Sequence, residues 1–248
     1  IQKQSLKDYP CVVFFLTNKF MKKVVVTLIA FALTIQAWSQ TELSGKTLLA
    51  GLRARSIGPA VMSGRITDID VVLSKPETIY VGTAGGGIWK SVSGGTTFRP
   101  VFNDHAQSIG KITIDQNNPE IIWVGTGESW VRNSVGVGTG LYKSINGGTS
   151  WELVGLADSE HISDILVHPK DGNTVYVGVQ GHLWGPNQER GVFKTTDGGK
   201  TWTKVLYIDE NTGCADMDID PQNPDVIYAA MWSHRRSPDF FDSGFTGT

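Results

Sequence analysis

The sequence predicts an all-β fold, a β-propeller of four-stranded antiparallel blades of which about three and a half are present. Three observations carry that expectation. A phrase joining a short aromatic strand to a glycine turn is written at residues 89–98, 142–151 and 193–202. Its serine or threonine positions, 91, 144 and 195, lie 53 and 51 residues apart, a spacing that marks a repeat architecture. No stretch after residue 40 shows an apolar helical period.

Each repeat is read as four strands. An alternating run comes first, at 66–71, 111–115, 162–167 and 216–220. A turn follows, such as Asp115-Gln116-Asn117-Asn118-Pro119 or Asp220-Pro221-Gln222-Asn223-Pro224, whose residues favour hairpin connections for separate backbone reasons. The second strand is a β-branched run with an aromatic inside it, at 78–82, 121–125, 174–178 and 226–230. The third strand leads into the glycine phrase, and the fourth leaves it at 98–102, 151–154 and 202–207. Four antiparallel strands in roughly 50 residues is the blade of a propeller. The blades are drawn at about 63–102, 108–155, 161–207 and 214–248, the last limited to its first two strands and followed by a polar loop after Trp232.

The glycine phrase reads as a self-bonded hairpin turn. In its three copies the residues are Ser91, Gly95 and Phe98; Ser144, Asn146, Gly148 and Trp151; and Thr195, Asp197, Gly199 and Trp202. The short polar side chains can accept hydrogen bonds from nearby backbone N–H groups, glycine permits positive φ, and the closing aromatic can be buried between sheets.

Residues 1–39 stand apart from the repeats. Residues 1–20 are read as translation upstream of a start at Met21 or as disordered, and 21–39 as a signal peptide. Lys22-Lys23 supplies its basic region, residues 24–35 its apolar core and Ala37-Trp38-Ser39 its cleavage site. Residues 40–51 form a linker. The expected setting is therefore extracytoplasmic: secreted, periplasmic or at the cell surface. The whole chain has 22 basic and 24 acidic residues; beyond residue 39 these become 17 and 23, a net charge of −6. Such a chain has no basic footprint for nucleic acid, and no membrane insertion is expected after signal removal. Only Cys214 lies beyond residue 39, so no internal disulfide is expected there, and the thiol reads as a small buried apolar group. The open edge of a part-propeller calls for the remaining blades of a longer chain as a partner.

Several segments carry a family resemblance. Ser56-Ile57-Gly58-Pro59-Ala60, Ser63-Gly64-Arg65-Ile66-Thr67-Asp68, the three glycine phrases, residues 182–191 and Tyr228-Ala229-Ala230-Met231-Trp232 resemble exported bacterial members of the sortilin-like, Asp-box (bacterial neuraminidase repeat) propeller group. The Asp-box pattern is complete only in the third phrase. Members are often labelled glycosyl hydrolases, and others resemble a ligand-binding sorting receptor. The resemblance therefore implies either ligand binding or glycoside hydrolysis of the xyloglucanase or sialidase kind. Against hydrolysis, Ala84 stands in Thr83-Ala84-Gly85-Gly86-Gly87 where xyloglucan-cleaving relatives place a catalytic aspartate, and no Arg-Ile-Pro motif occurs.

Alternating strand direction puts the loops between second and third strands on one face with the connections between blades. Long loops there are expected to carry ligand-binding residues: Trp130 and Arg132 in the second blade, His182 and Trp184 in the third, and Trp232, His234, Arg235 and Arg236 in the fourth. Their ligand is expected to be a protein, peptide or carbohydrate. His182 and His234 lack partners at metal-ligand spacing, so neither a metal nor a cofactor is expected. Should the protein be an enzyme, Asp68, Asp164 and Glu128 are the candidate acids, Asp68 and Asp164 belonging to a charged column with Lys111 and Asp216 at the start of the innermost strands. The expected function is non-catalytic binding by an exported propeller module, with a glycoside hydrolase as the alternative.

Overall fold

The computed structural model describes Lys23 and residues 65–244. The chain divides into two units, residues 1–55 and 56–248. The signal-peptide and linker readings, and the motif at 56–60, lie outside the described residues.

Residues 65–244 contain strands and turns and no helix. The first sheet is β1 (Ile66–Val71), β2 (Ile79–Thr83), β3 (Ile88–Ser91) and β4 (Arg99–Pro100), in that spatial order. The second is β5 (Ile109–Ile114), β6 (Ile122–Thr126), β7 (Leu141–Ser144) and β8 (Glu152–Gly155). The third is β9 (Ile162–His168), β10 (Asp171–Val179), β11 (Gly191–Thr195) and β12 (Thr203–Leu206). The fourth is β13 (Thr212–Ile219), β14 (Ile227–Arg236) and β15 (Phe241–Ser243). Every pairing is antiparallel between chain neighbours, and each first strand packs on the first strand of the next sheet. This is a partial β-propeller, with β1, β5, β9 and β13 innermost.

Three local expectations are corrected. The fourth sheet has three described strands, because β14 runs on to Arg236 and the turn Ser237-Pro238-Asp239-Phe240 folds β15 back onto it. That turn is closed by Ser237 N–H donating to Phe240 O at 2.8 Å. Trp232, His234, Arg235 and Arg236 consequently lie on a strand and not in a long loop. The outer strand of the first sheet shrinks to Arg99 and Pro100, with Val101 N–H still donating to Ile88 O at 2.9 Å; the proline stands on an edge strand, where its missing N–H costs no ladder bond. The innermost strands also begin earlier than expected, at Ile109 and Thr212.

That earlier start explains the charged column. In each innermost strand the register slips just before Asp68, Lys111, Asp164 or Asp216. A bulge re-aims the side chain that follows it. Asp68 Oδ2 thereby accepts the Ile112 N–H at 2.8 Å, and Asp164 Oδ2 accepts the Met217 N–H at 3.1 Å. Two residues on, Asp70 Oδ2 accepts the Ile114 N–H at 2.7 Å. Thr113 and Ser163 hydroxyls donate in the same direction, to Ile165 O and Cys214 O. Lys111 replaces the carboxylate in the second sheet and sits 3.8 Å from Asp68 and 3.3 Å from Asp164. Adjacent innermost strands are thus joined by side chains, because sheets packed face to face share no backbone ladder.

Outward of these bonds the core is aliphatic and aromatic. Ile109, Ile112, Ile162, Ile165 and Cys214 are buried where one sheet meets the next. Burial and the neighbouring Asp164 push the Cys214 thiol up to about 12, so it stays protonated and inert. The glycine ending each Tyr/Trp-Val-Gly run belongs to this contact. A Cβ on Gly125 would stand 2.3 Å from Ile162 Cγ2, so the bulk of Ile162 is accommodated only by a glycine.

The glycine turns close the outer contact. Ser91, Ser144 and Thr195 Oγ each accept the N–H of the second glycine, Gly95, Gly148 or Gly199, at 2.9–3.0 Å. Asn146 and Asp197 bind their own turns: the Thr201 hydroxyl donates to Asp197 Oδ2 at 2.6 Å and the N–H groups of Thr201 and Lys200 to Oδ1, and these bonds, the hydroxyl's first, hold its carboxyl well below the usual range. The closing indoles of Trp151 and Trp202 donate to Val101 O and Val154 O of the preceding sheet, both at 2.8 Å. Lys90 and Lys143 lie over the Tyr80 and Trp123 rings and donate to Gly147 O and Gly198 O of the next turn. Phe98, with no preceding sheet among the described residues, is exposed.

Replacing Gly125 by alanine should lower stability by about 1–3 kcal/mol through overpacking against Ile162. The same change at Gly185, where an added Cβ meets nothing within 4 Å, should be near neutral. Urea unfolding of the two variants checks the contrast.

Candidate functional site

The face opposite the glycine turns is built by β2–β3, β6–β7 and β10–β11 connections lying against the segments that link sheets. The first is a tight turn at 84–87, whereas residues 127–140 and 180–190 form long loops. Backbone bonds hold them down: Gly127 N–H to Ser108 O at 2.7 Å, Gln180 N–H to His161 O at 3.0 Å, and Asn187 N–H to Glu210 O at 2.8 Å. Gly127 has φ +85°, and a Cβ there would fall 1.7 Å from Glu160 O, so the β6–β7 loop starts pressed on the next sheet's connection.

The β6–β7 loop crosses to the fourth sheet. Arg236 Nε donates to Asn133 Oδ1 at 2.5 Å, and Asn133 Nδ2 donates to Pro238 O at 3.4 Å. Beside this bridge opens a cleft of about 420 Å³ lined chiefly by Trp130, Arg132, Gln180, Ala215, Trp232 and Phe241. The Trp130 ring is presented to solvent, 59% exposed, with the Arg132 guanidinium 5.7 Å from its centre. Trp232 is fixed more firmly: it stacks on His234 at 4.6 Å, meets Phe241 edge-on at 5.8 Å and donates its Nε1–H to Ser243 Oγ at 2.8 Å. The structure brings together three expected residues from two blades, Trp130 and Arg132 from the second and Trp232 from the fourth, and adds Gln180 and Phe241, which the sequence did not single out. Phe241 was hidden because the hairpin that displays it was read as a loop.

The other expected residues play different parts. His182 Nε2 lies 3.2 Å from Asp158 Oδ1 and 3.8 Å from Glu160 Oε1, on the β10–β11 loop. Trp184 is exposed on that loop and does not line the cleft. Arg235 hydrogen-bonds Asn211, and Arg236 lies over the Phe241 ring as well as bonding Asn133. His234 is buried below Trp232 in a layer that sequence reading missed. The centre of that layer is Arg190, fully buried just before β11, which donates to Gln180 O at 2.8 Å and His182 O at 2.7 Å and faces His234 Nδ1 at 3.4 Å. Its position at the end of a long polar loop gave no signal of burial. Desolvation and the nearby Arg235 lower the Arg190 guanidinium to about 10, still charged at neutral pH.

The three candidate acids are each engaged in the scaffold. Asp68 and Asp164 accept backbone N–H groups from the following sheet, as described above, and burial raises Asp164 above the ordinary carboxylate range despite those bonds. Glu128 is held in a two-pronged pair with Arg65, Nε to Oε1 at 2.9 Å and Nη2 to Oε2 at 2.6 Å, its side chain 1% exposed. Among the described residues no three His, Cys, Asp or Glu side chains are grouped to hold a metal ion.

Comparison with solved structures finds the same fold. The chain is similar to an ancestral GH74 enzyme, with a TM-score of 0.55 and 21% identity over 77% of this chain and 27% of that one. It is similar to GH74 from Niastella koreensis, with a TM-score of 0.51 and 21% identity over 67% and 26% of the two chains. The GH74 xyloglucanase from Xanthomonas campestris gives 0.50 and 17% over 74% and 30%. This chain therefore spans less than a third of those proteins, and at these identities the likeness is one of fold. No protein-family model matches the sequence. No curated protein matches it either.

The buried layer makes stability depend on pH. Desolvation and Arg190 hold His234 down to about 4, and desolvation holds His161 down to about 4, both from 6.5. Between those values the unfolded chain binds more protons than the folded one, so stability is complete above about pH 6.5 and falls as pH drops towards 4. Linkage puts the loss on the order of 3 kcal/mol per histidine. The urea midpoint should therefore fall between pH 7 and 4.5, and His234→Gln should flatten that slope; parallel slopes would contradict the assignment.

Proposed function

We propose that this chain is part of an extracytoplasmic β-propeller protein that binds a ligand, without catalysis, in the cleft between the β6–β7 loop and the β14–β15 hairpin. The observation that carries the reading is the convergence of Trp130, Trp232 and Phe241 on one open cleft, with Arg132 and Gln180 as polar contacts. Large aromatic faces on a rigid sheet scaffold supply contact area at little entropic cost, and a few polar groups fix orientation. Of the three ligand classes considered, protein, peptide and glycan, the cleft favours a glycan. Its aromatic faces can stack on the C–H faces of sugar rings, and Gln180 and Arg132 offer polar contacts suited to sugar hydroxyls. Placement outside the cytoplasm rests on residues 21–39.

The similar fold of a xyloglucanase keeps glycoside hydrolysis as the competing reading. Hydrolysis needs two carboxyls free to exchange protons and to approach the sugar. Here Glu128 is locked to Arg65, Asp68 and Asp164 bind backbone, and Ala84 is buried where those relatives carry an acid.

Trp130→Ala and Trp232→Ala should each weaken retention on immobilised polysaccharide by about tenfold or more, in line with the loss of a central aromatic anchor. Reducing-end assays over the same polysaccharides should stay at background. Sugar release that disappeared in Glu128→Gln, with folding intact, would replace the binding reading by the hydrolytic one.

A further inference from the structure

We infer that the glycan accepted by this cleft is acidic, a chain bearing uronate carboxylates, and that Arg132 is the residue that selects it. The inference rests on the binding reading above and narrows its ligand.

Arg132 is the sole charged residue lining the cleft; Ser129, Trp130, Val131, Gln180, Ala215, Trp232 and Phe241 complete it. Arg132 is exposed and, among the described residues, has no carboxylate or carbonyl partner; its recorded contact is with the Trp130 ring. The other arginines of this region are committed: Arg65 to Glu128, Arg190 to Gln180 O and His182 O, Arg235 to Asn211 and Arg236 to Asn133. A guanidinium lying over an indole is steadied on one face while its N–H edge stays open in the plane, the geometry in which two parallel N–H···O bonds form to a carboxylate.

The neighbouring aromatics settle which carboxylate-bearing molecule fits. Trp130 is attached two residues before Arg132, and Trp232 and Phe241 face the same cleft from the fourth sheet. A pyranose carries its C5 carboxylate at the ring edge, so a sugar resting on Trp232 or Phe241 can turn that edge towards the open N–H side of the Arg132 guanidinium. A neutral glycan would satisfy the stacking and leave the N–H edge of Arg132 to water. An acidic peptide would satisfy the charge but need offer no flat ring to the three aromatics that line the cleft. Gln180, with both a donor and an acceptor, suits the hydroxyls of the same sugar.

The test is isothermal titration of the full chain with a hexameric oligogalacturonate, a cello-oligosaccharide of the same length and an oligoglutamate peptide. Oligogalacturonate should bind most tightly, and more weakly as salt rises. Arg132→Gln should weaken that binding about tenfold or more, and cello-oligosaccharide binding by a much smaller factor. Arg132→Lys should recover only part of the loss, because an ammonium cannot make the paired contact. Both variants change an exposed side chain, and an unaltered unfolding midpoint confirms that the scaffold is intact. Equal binding of the two oligosaccharides, insensitive to Arg132, would overturn the inference while sparing the glycan reading. Preference for oligoglutamate would overturn the choice of glycan. Failure of all three probes, with Trp130→Ala also silent on immobilised polysaccharide, would overturn the binding reading itself.

Discussion

Everything in this arc of sheets depends on how one innermost strand is tied to the next. Strands within a sheet share a backbone ladder, but sheets that pack face to face do not, and their edge N–H groups need other partners. Asp68, Asp70 and Asp164 supply them, taking the N–H groups of Ile112, Ile114 and Met217. Asp70 and Asp164 each accept a second backbone N–H, from Val71 and Ile165, and removing any of the three carboxylates would leave an amide between sheets without its partner. The bulge before each charged position is what turns the side chain outwards to the next strand. Lys111 shows that the column is electrostatically coupled: it sits between Asp68 and Asp164 where a third carboxylate would repel both.

The two ends of the arc show the same constraint from its negative side. Ile109, Ile162 and Cys214 are fully buried by the sheet before them, but Ile66 at the equivalent place is 58% exposed. Tyr80 and Trp123 are buried under the next glycine turn, but Tyr228 is 62% exposed. One difference is chemical: Ala230 stands where Gly82, Gly125 and Gly178 receive the bulk of the following strand. A sheet seated on β13 and β14 would need a smaller residue than isoleucine at that contact.

Much of this architecture was legible in the sequence, for a physical reason. Strand period, turn chemistry and the 51- to 53-residue spacing are local properties, and each repeat states them again. The turn role of Ser91, Ser144 and Thr195 could be read from the chemistry of one phrase. The function of the charged column could not, because it depends on a register slip and on a strand 44 to 53 residues away. The same limit governed the cleft. Trp130, Arg132 and Trp232 were found as residue types on loops, but their convergence depends on Asn133 reaching Arg236, a contact 103 residues long in sequence. The β15 hairpin was missed because Phe241-Asp242-Ser243 is too short to show an alternating pattern. Arg190 was missed because a buried cation is unusual, and here its two terminal nitrogens donate to loop carbonyls that only the folded chain assembles.

The proposed cleft takes its rigidity from the scaffold. The sheets are held by repeated bonds, and the long loops are tied to the segment entering the following sheet through Gly138 N–H to Glu160 O and Asn187 N–H to Glu210 O. Amide hydrogen exchange tests the foundation most directly. The Ile112 and Met217 N–H groups lie on the free side of innermost strands, so a ladder alone would leave them unprotected. If carboxylates tie the sheets together, both amides exchange only with global unfolding, and Asp68→Ala releases Ile112 while Met217 stays protected. Fast exchange of both in the unmodified chain would contradict the account.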